Sequence, residues 1–535
     1  METAQARWDN LYLHRSLYLR RAIDASKLTI PTLIPESDQN DGWTGDRYNA
    51  IPSLYQGAGA RGVNGLSSQL MLALYPPSVP FFRLTIDSGA LMDYAQRNGE
   101  DEVTLASKMD AELSKIERRI LLALDQLQAR SAIFEALKHL VVGGNALLYI
   151  GQESVRMYGL RSFCVDRDPE GNITEIVVRE QVSDKYLPPG ASKDDDSDER
   201  QQVYTHVNVD GDNDKVSWYQ ELHGKKISGS SGFSRLETSP WLVLRLNKIA
   251  GESYGRGIVE ECLGDLQSLE SLSQAIVEGS LIAAKAIGLV NPNGVTRADT
   301  LSRAKNGSIV AGNAADVEFL QVQKQNDFST ALQTMQLLER RLDYTFLNMQ
   351  AIQRDAERVT AEEIRLMAES LEKGLGGVYT LLAAELQLPL IRRVMHIMQN
   401  RGDLPPIPEG LVEPQATTGL EAIGRGNDKA RLTSFLTTIA TALGPEQFLQ
   451  YIQPEELIRR FAAADGIDVD GLVKTAQQME AERAQAEQAM LAQQLAQGAV
   501  SSGVTASPQP GREGAGQLNP GPAAGGPAAP GQGIG

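Results

Sequence analysis

Residues Gly257–Ala286 read GIVEECLGDLQSLESLSQAIVEGSLIAAKA. Leu263, Leu266, Leu269, Leu272 and Ile276 recur at steps of three and four, the period of a helix with one apolar face. Asn291-Pro292-Asn293-Gly294 ends the run, because proline cannot donate an amide and Asn-Gly favours a turn. A small mixed module follows, with strand-like Ser308–Val310 and Val317–Val322. Asp327–Gln350 then carries Phe328, Leu332, Met335, Leu338, Leu342, Phe346 and Met349 on a second helical stripe. A polar break, Gln353–Arg358 (QRDAER), precedes Thr360-Ala-Glu-Glu363, which fits a capping box. The helix it opens runs towards Asn400, with Gly374, Gly376, Gly377 and Pro389 as expected kinks or close contacts. The core of the architecture is therefore two long helices, a compact excursion between them, a polar loop and a third long helix.

Outward from that core, the N-terminal ~160 residues read mostly as helices. Val63–Leu74 stops at Tyr75-Pro76-Pro77, and Leu105–Leu127 is amphipathic. Ala132–Val142 ends at Gly143-Gly144, and Ala146–Ile150 follows as a short strand. From Met157 to Leu246 the pattern turns to strands, at Asn172–Gln181, Val203–Val209, Trp218–Leu222 and Trp241–Leu246. Lys193–Arg200 (KDDDSDER) reads as a solvated loop. After Pro-rich Leu404–Pro414 a smaller helical region extends to Gln497. The tail, residues 497–535, has 17 Gly or Pro in 39 positions and is expected to be disordered. The fold class is α+β, predominantly α-helical.

The 535 residues carry a formal charge of −17, which argues against a tight, sequence-specific nucleic-acid grip. No apolar run approaches the roughly 20 residues of a membrane span. Met1–Arg21 lacks the apolar stretch of a signal peptide, so a soluble, intracellular protein with no membrane partner is expected. Cys164 and Cys262 lie in no metal-ligand or CxxC pattern and are expected to be buried. His14, His139, His206, His223 and His396 show no metal spacing either, so neither a metal nor a cofactor is expected. His139 reads as a hydrogen-bonded structural residue on its helix. No Walker loop or GxSxG is present. Gly57–Gly65 (GAGARGVNG) reads as a structural turn rather than a phosphate cradle. Glu260-Glu261 and Glu362-Glu363 are neighbours about 100° apart on a helix, not paired catalytic carboxylates. No enzyme is expected.

Several stretches together resemble the portal, or head-to-tail connector, proteins of short-tailed Autographiviridae-type phages, over nearly the whole chain to about residue 430. They are Gly59–Leu74 (GARGVNGLSSQLMLAL), Phe134–Tyr149 (FEALKHLVVGGNALLY), Gly251–Arg256 (GESYGR) with Leu263–Leu269, and Ile287–Pro292 (IGLVNP). Further on come Phe319–Phe328, Arg358–Arg365 (RVTAEEIR), Gly376–Leu390 (GGVYTLLAAELQLPL) and Gly419–Asn427 (GLEAIGRGN). Ala191–Arg200 and the tail after Gln497 diverge. The resemblance implies a ring, usually of twelve subunits, at one capsid vertex. It implies a wing over residues 1–250, strand-rich at 157–246, and stem helices at 251–286 and 326–350. It also implies a clip at 287–325, a tunnel loop at 351–359, a kinked wing helix at 360–400 and a crown at 401–496. The implied partners are double-stranded DNA in the channel, a terminase packaging motor, a tail adaptor, scaffold and major capsid protein, and internal core proteins. The implied place is the virion, reached by assembly in the host cytoplasm.

A conduit must confine DNA without gripping it, since each base that neutralises a phosphate adds salt-dependent affinity. Glu252–Lys285 has six acids and two bases. Within it Glu260, Glu261, Asp265 and Glu270 are candidates for an acidic channel lining, or else face solvent or a neighbouring subunit. Arg358, and after it Arg354, are candidates for a constriction that touches DNA, since one Arg per subunit becomes a ring of guanidiniums. The plainer reading pairs Arg358 with Asp355 or Glu357. The alternatives are a phage scaffold or internal core component, against which the strands count, a nucleic-acid enzyme subunit, and a peripheral membrane protein, which the acidity disfavours.

Overall fold

The computed structural model describes residues 2–36, 52–76, 80–86, 89, 102–187, 200–284, 287–320, 325–347, 374–404, 412–416, 433–441, 457–458 and 461. The chain divides into two compact units, residues 1–444 with 463–466 and residues 445–462 with 467–535. The described residues of the second unit are helical. All elements named here belong to the first. Residues 193–199 of the expected solvated loop, and the tail, lie outside the described residues.

Helix α1 (Ala4–Lys27) is capped by the Thr3 hydroxyl, which accepts the Ala6 amide. The buried Glu221 carboxylate accepts the amides of Ala4 and Gln5 at 2.9 and 3.4 Å, a favourable place for negative charge. Trp8 and Leu11 pack with Cys164, Val177 and Tyr204. Arg15 is only 1% exposed. Its Nη1 donates to the carbonyls of Leu160, Arg161 and Phe163 at 2.8–2.9 Å, and its guanidinium lies over the Trp8 ring. The Trp and Arg of the N-terminus thus fasten α1 to the strand-rich region.

Helix α2 (Ala58–Leu74) buries Val63, Leu66, Leu70 and Leu74 completely. Each contributes on the order of 1.5–3 kcal/mol. The glycine-rich segment expected to be a turn is instead the start of this helix. A Cβ on Gly59 would stand 2.5 Å from the Leu28 carbonyl oxygen, and one on Gly62 2.3 Å from the Phe346 ring. The glycines let neighbouring chain approach the helix closely. Strand β1 (Phe82–Ile86) follows, then α3 (Glu102–Gln126) and α4 (Ala129–Gly143), which Gly144 ends in the left-handed region at φ +73°.

Next come β2 (Asn145–Ile150), β3 (Val155–Tyr158), β4 (Phe163–Arg167), β5 (Ile173–Ser183) and β6 (Arg200–Asp210). They are followed by β7 (Lys215–Leu222), β8 (Lys225–Lys226), β9 (Gly232–Ser234) and β10 (Trp241–Arg245). β10, β2 and β3 form one antiparallel sheet. β4 to β8 form another in sequence order, with β9 on β7. β2 and β10 are apolar apart from Asn145 and Arg245 at their ends, because both faces are covered. β3 and β4, absent from the sequence reading, are only four and five residues long.

The expected single helix from Gly257 is two helices, α5 (Ile258–Glu261) and α6 (Leu263–Ala284), separated at Cys262 with φ −110° and ψ 15°. β11 (Ile287–Val290) pairs antiparallel with β12 (Val317–Leu320), on either side of the short α7 (Ala298–Ser302). Ser308–Val310, expected as a strand, is not one. Gly307 turns there at φ +84°, and Ile309 is fully exposed. With no partner strand beside them, β-branched residues do not suffice. α8 (Gln325–Thr345) buries Leu338 and Leu342 of the expected stripe, and Phe346 just beyond its end, but leaves Leu332 half exposed.

Residues 360–373 of the expected third long helix, with its capping box, lie outside the described residues; from Gly374 on, the chain breaks at Gly376, φ +37°, before α9 (Gly377–Leu382). A π-turn, Ala383–Gln387, leads into α10 (Leu388–Arg401). Pro389 was expected to kink this helix. In a regular helix its ring would crowd the Glu385 carbonyl, and the wider π-turn relieves that crowding. β13 (Val412–Ala416) falls partly in the Pro-rich stretch and pairs antiparallel with the remote β1.

Cys164 and Cys262 are buried, and burial pushes their thiols up to about 11 and about 12. His139 on α4 is buried too, yet its Nδ1 has no hydrogen-bond partner, unlike the role expected for it. Burial lowers its pKa to about 4. The unfolded chain therefore takes up this proton first, near pH 6.5. Stability is full above about pH 6.5 and falls as the pH drops towards 4. His139→Leu should flatten that acid limb in unfolding midpoints measured from pH 7 to 4. Curves that stay parallel to wild type would refute the assignment.

Candidate functional site

Two of the sequence stretches singled out, GGNALLY and GESYGRG, meet at one junction. The Asn145 amide, 2% exposed, donates through Nδ2 to the carbonyls of Gly143 and Gly255 at 2.9 and 2.8 Å. Its Oδ1 accepts the Gly255 amide at 2.7 Å. A Cβ on Gly144 would stand 2.3 Å from the Arg256 backbone, and one on Gly257 2.5 Å from the Val142 carbonyl oxygen. Backbone lies on backbone here, so only glycine fits. This junction seats α5 against α4 and sets where α6 departs.

α6 and α8 form an antiparallel hairpin. Asp265 pairs with Arg341 at 3.0 Å near one end, and Gly279 meets the Phe328 ring at the other. β11 and β12 continue it. The tip is held by Asp316, whose carboxylate accepts the amides of Val295 and Thr296 and the Thr296 hydroxyl at 2.9–3.1 Å. Val295 and Ile309 on the tip are exposed. Its order comes from hydrogen bonds, not from an apolar core.

The structure places all four acids expected in the hairpin region. Glu260 pairs with Arg21 at 3.1 Å and Arg256 at 3.3 Å. Asp265 pairs with Arg341. Glu270 accepts the Tyr55 and Gln56 amides at 2.9 and 3.2 Å. Glu261 is exposed and has no ion-pair partner among the described residues. It borders an open cavity of ≈ 430 Å³ with Cys262, Asp265, Arg340, Arg341 and Tyr344. Arg354 and Arg358 lie outside the described residues.

A second anchor was invisible in the sequence. Glu385, in the π-turn, accepts the Arg245 backbone amide at 2.9 Å and its Nε and Nη2 at 3.0 and 2.5 Å. Arg167 lies 3.9 Å away. The side chains of Arg245 and Arg167 are 3% and 4% exposed. Gln387, fully buried, donates to the Leu74 carbonyl oxygen at 2.9 Å. The only sequence signal was a lone acid and a lone amide in the apolar run GVYTLLAAELQLPL. No cluster of His, Cys, Asp or Glu among the described residues is arranged to hold a metal, and none of their helices is long and apolar enough to cross a membrane.

The family model for bacteriophage head to tail connecting proteins matches residues 1–473. The chain belongs to that family. The connector is 39% identical to the portal protein of Escherichia phage T7, over 89% of each chain. It is 30% identical to the portal protein of Pseudomonas phage phiKMV, over 86% of this chain and 90% of that one. Among solved structures, the neck of an empty GTA particle aligns with 77% of the connector and 91% of that chain. The identity there is 12% and the TM-score 0.38, and that likeness adds nothing to the argument. The resemblance read from the sequence is thereby established as membership, and the connector is a portal-type structural subunit.

Proposed function

We propose that this connector is one subunit of a closed ring, of twelve copies, at one capsid vertex, through which double-stranded DNA enters the head and later leaves it. The observation that carries this is the family match across residues 1–473. Residues 1–250, with the strand-rich sheets, form the wing. α5–α6 and α8 form the stem, and residues 287–325 the clip, to which the terminase motor and then the tail adaptor dock. Residues 351–359 form the tunnel loop, 360–400 the kinked wing helix and 401–496 the crown. Scaffold, major capsid protein and internal core proteins are further partners. The subunit assembles in the host cytoplasm and stays in the virion.

The in-chain partners of Glu260, Asp265 and Glu270 make an acidic lining weaker than its formal charge. Confinement then rests on the width of the bore and on the overall charge of −17, with Arg358, and less so Arg354, making transient phosphate contacts. The purified full chain, imaged by negative stain, should show closed rings with a hole wide enough for a duplex. Monomers or filaments would count against the ring. In phage carrying Arg358→Glu, heads should assemble but fail to retain DNA. Normal retention would remove Arg358 from the constriction.

A further inference from the structure

The hairpin carries two unlike charged surfaces on opposite flanks of α8. On one flank is the cavity bordered by Glu261, Arg340 and Tyr344. Glu261 and Arg340 are exposed, and neither has an ion-pair partner among the described residues. Tyr344 is 84% exposed, a large ring with nothing of its own chain to cover it among the described residues. On the other flank stands Arg61 of α2, its side chain 70% exposed, in a loose 3.8 Å pair with Glu339. At about 100° per residue, Glu339 lies roughly half a turn around α8 from the middle of the arc Arg340, Arg341, Tyr344 and Thr345. The two surfaces therefore point in opposite directions from one helix, at nearly the same level along it.

Unlike patches on opposite sides of one subunit are what a head-to-tail contact between identical copies requires, and such contacts close into rings by rotation. The charges are complementary in the same sense. An unpaired carboxylate on one flank faces away from a guanidinium on the other that is held only by a long, exposed pair. The cavity also offers Tyr344 as a flat surface on which a guanidinium stacks.

We propose that Arg61 of one copy enters the Glu261–Arg340–Tyr344 cavity of the next copy, making a heterologous contact repeated between neighbours. This rests on the ring reading above and names the flanks that meet. Arg61 exchanges its loose pair with Glu339 for Glu261 of the neighbour. Glu339 is then free to take Arg340 of that same neighbour.

The test is a charge swap in the full-length chain, with assembly followed by sedimentation and negative stain. Glu261→Arg and Arg61→Glu should each raise the concentration for half-assembly at least tenfold. Both sites are exposed, so unfolding midpoints should stay at wild type and report that the monomer is intact. The double variant should return assembly to within a few-fold of wild type. If both single variants assemble like wild type, or if the double variant is no better than the worse single, the contact is overturned. A wild-type chain that forms no ring at any concentration overturns the ring reading itself, which is a different result. A second arm uses Arg61→Lys with a zero-length carboxyl–amine cross-linker on mixed light and heavy isotope-labelled chains. A peptide joining position 61 of one label to Glu261 of the other supports the contact. Cross-links confined to one label overturn it.

Discussion

Glu385→Ala should destabilise the connector by about 3–5 kcal/mol, the cost of leaving buried charge without its partner. Two guanidiniums, Arg245 and Arg167, have side chains only 3% and 4% exposed and share this one carboxylate. Arg245 also gives Glu385 its backbone amide, so three donors to one carboxylate lose their acceptor at once. The effect should appear as a lower denaturant midpoint with an unchanged slope. Glu385→Gln keeps an acceptor but not the charge and should cost less, about 1–3 kcal/mol. If the two variants are equal, charge and not hydrogen bonding accounts for the anchor. If neither moves the midpoint, the triad does not hold the π-turn to β10.

Asn145→Ala should cost about 2–4 kcal/mol, because a buried amide and two buried carbonyls are orphaned together. Those groups belong to Gly255 and Gly143, in the segments that Gly144 and Gly257 hold at backbone contact. A cavity the size of one side chain cannot admit enough water to satisfy all three. Asn145→Asp is the informative comparison. It keeps the bond to the Gly255 amide but turns an oxygen towards two carbonyl oxygens, so it should be no more stable than the alanine variant. An aspartate variant as stable as wild type would mean that the side-chain amide is oriented the other way. Because the junction sets the departure of α6, both variants should also form fewer closed rings at a given concentration.

Periodicity made the elements of this protein legible where burial is one-sided. The spacing of Val63, Leu66, Leu70 and Leu74 marks α2 because those positions share one face, and all four are fully buried. The strands β5, β6, β7 and β10 were legible instead from their runs of β-branched, aromatic and apolar residues, β10 being buried on both faces. Ser308–Val310 was misread because β-branched residues describe a strand only when another strand lies alongside. β1 and β13 were missed because each is short and they pair over more than three hundred residues. The glycines of α2 read as a turn, since a sequence does not say that Leu28 and Phe346 will press against that helix.

The sequence by itself determined the two helical stripes, the turn between them, the kink at the glycines before α9 and the resemblance that membership in the connector family bears out. These follow from local rules: the helical period, the missing amide of proline, the freedom of glycine. Tertiary structure alone decided the rest. It showed that Glu385 answers two arginines from remote strands, that Asn145 clamps Gly255, and that most of the hairpin acids are already paired. A charge in a sequence is only a formal charge. What it does depends on which distant backbone or guanidinium the fold brings within hydrogen-bonding reach, and for Glu261 and Arg61 on which charges the fold leaves facing outward.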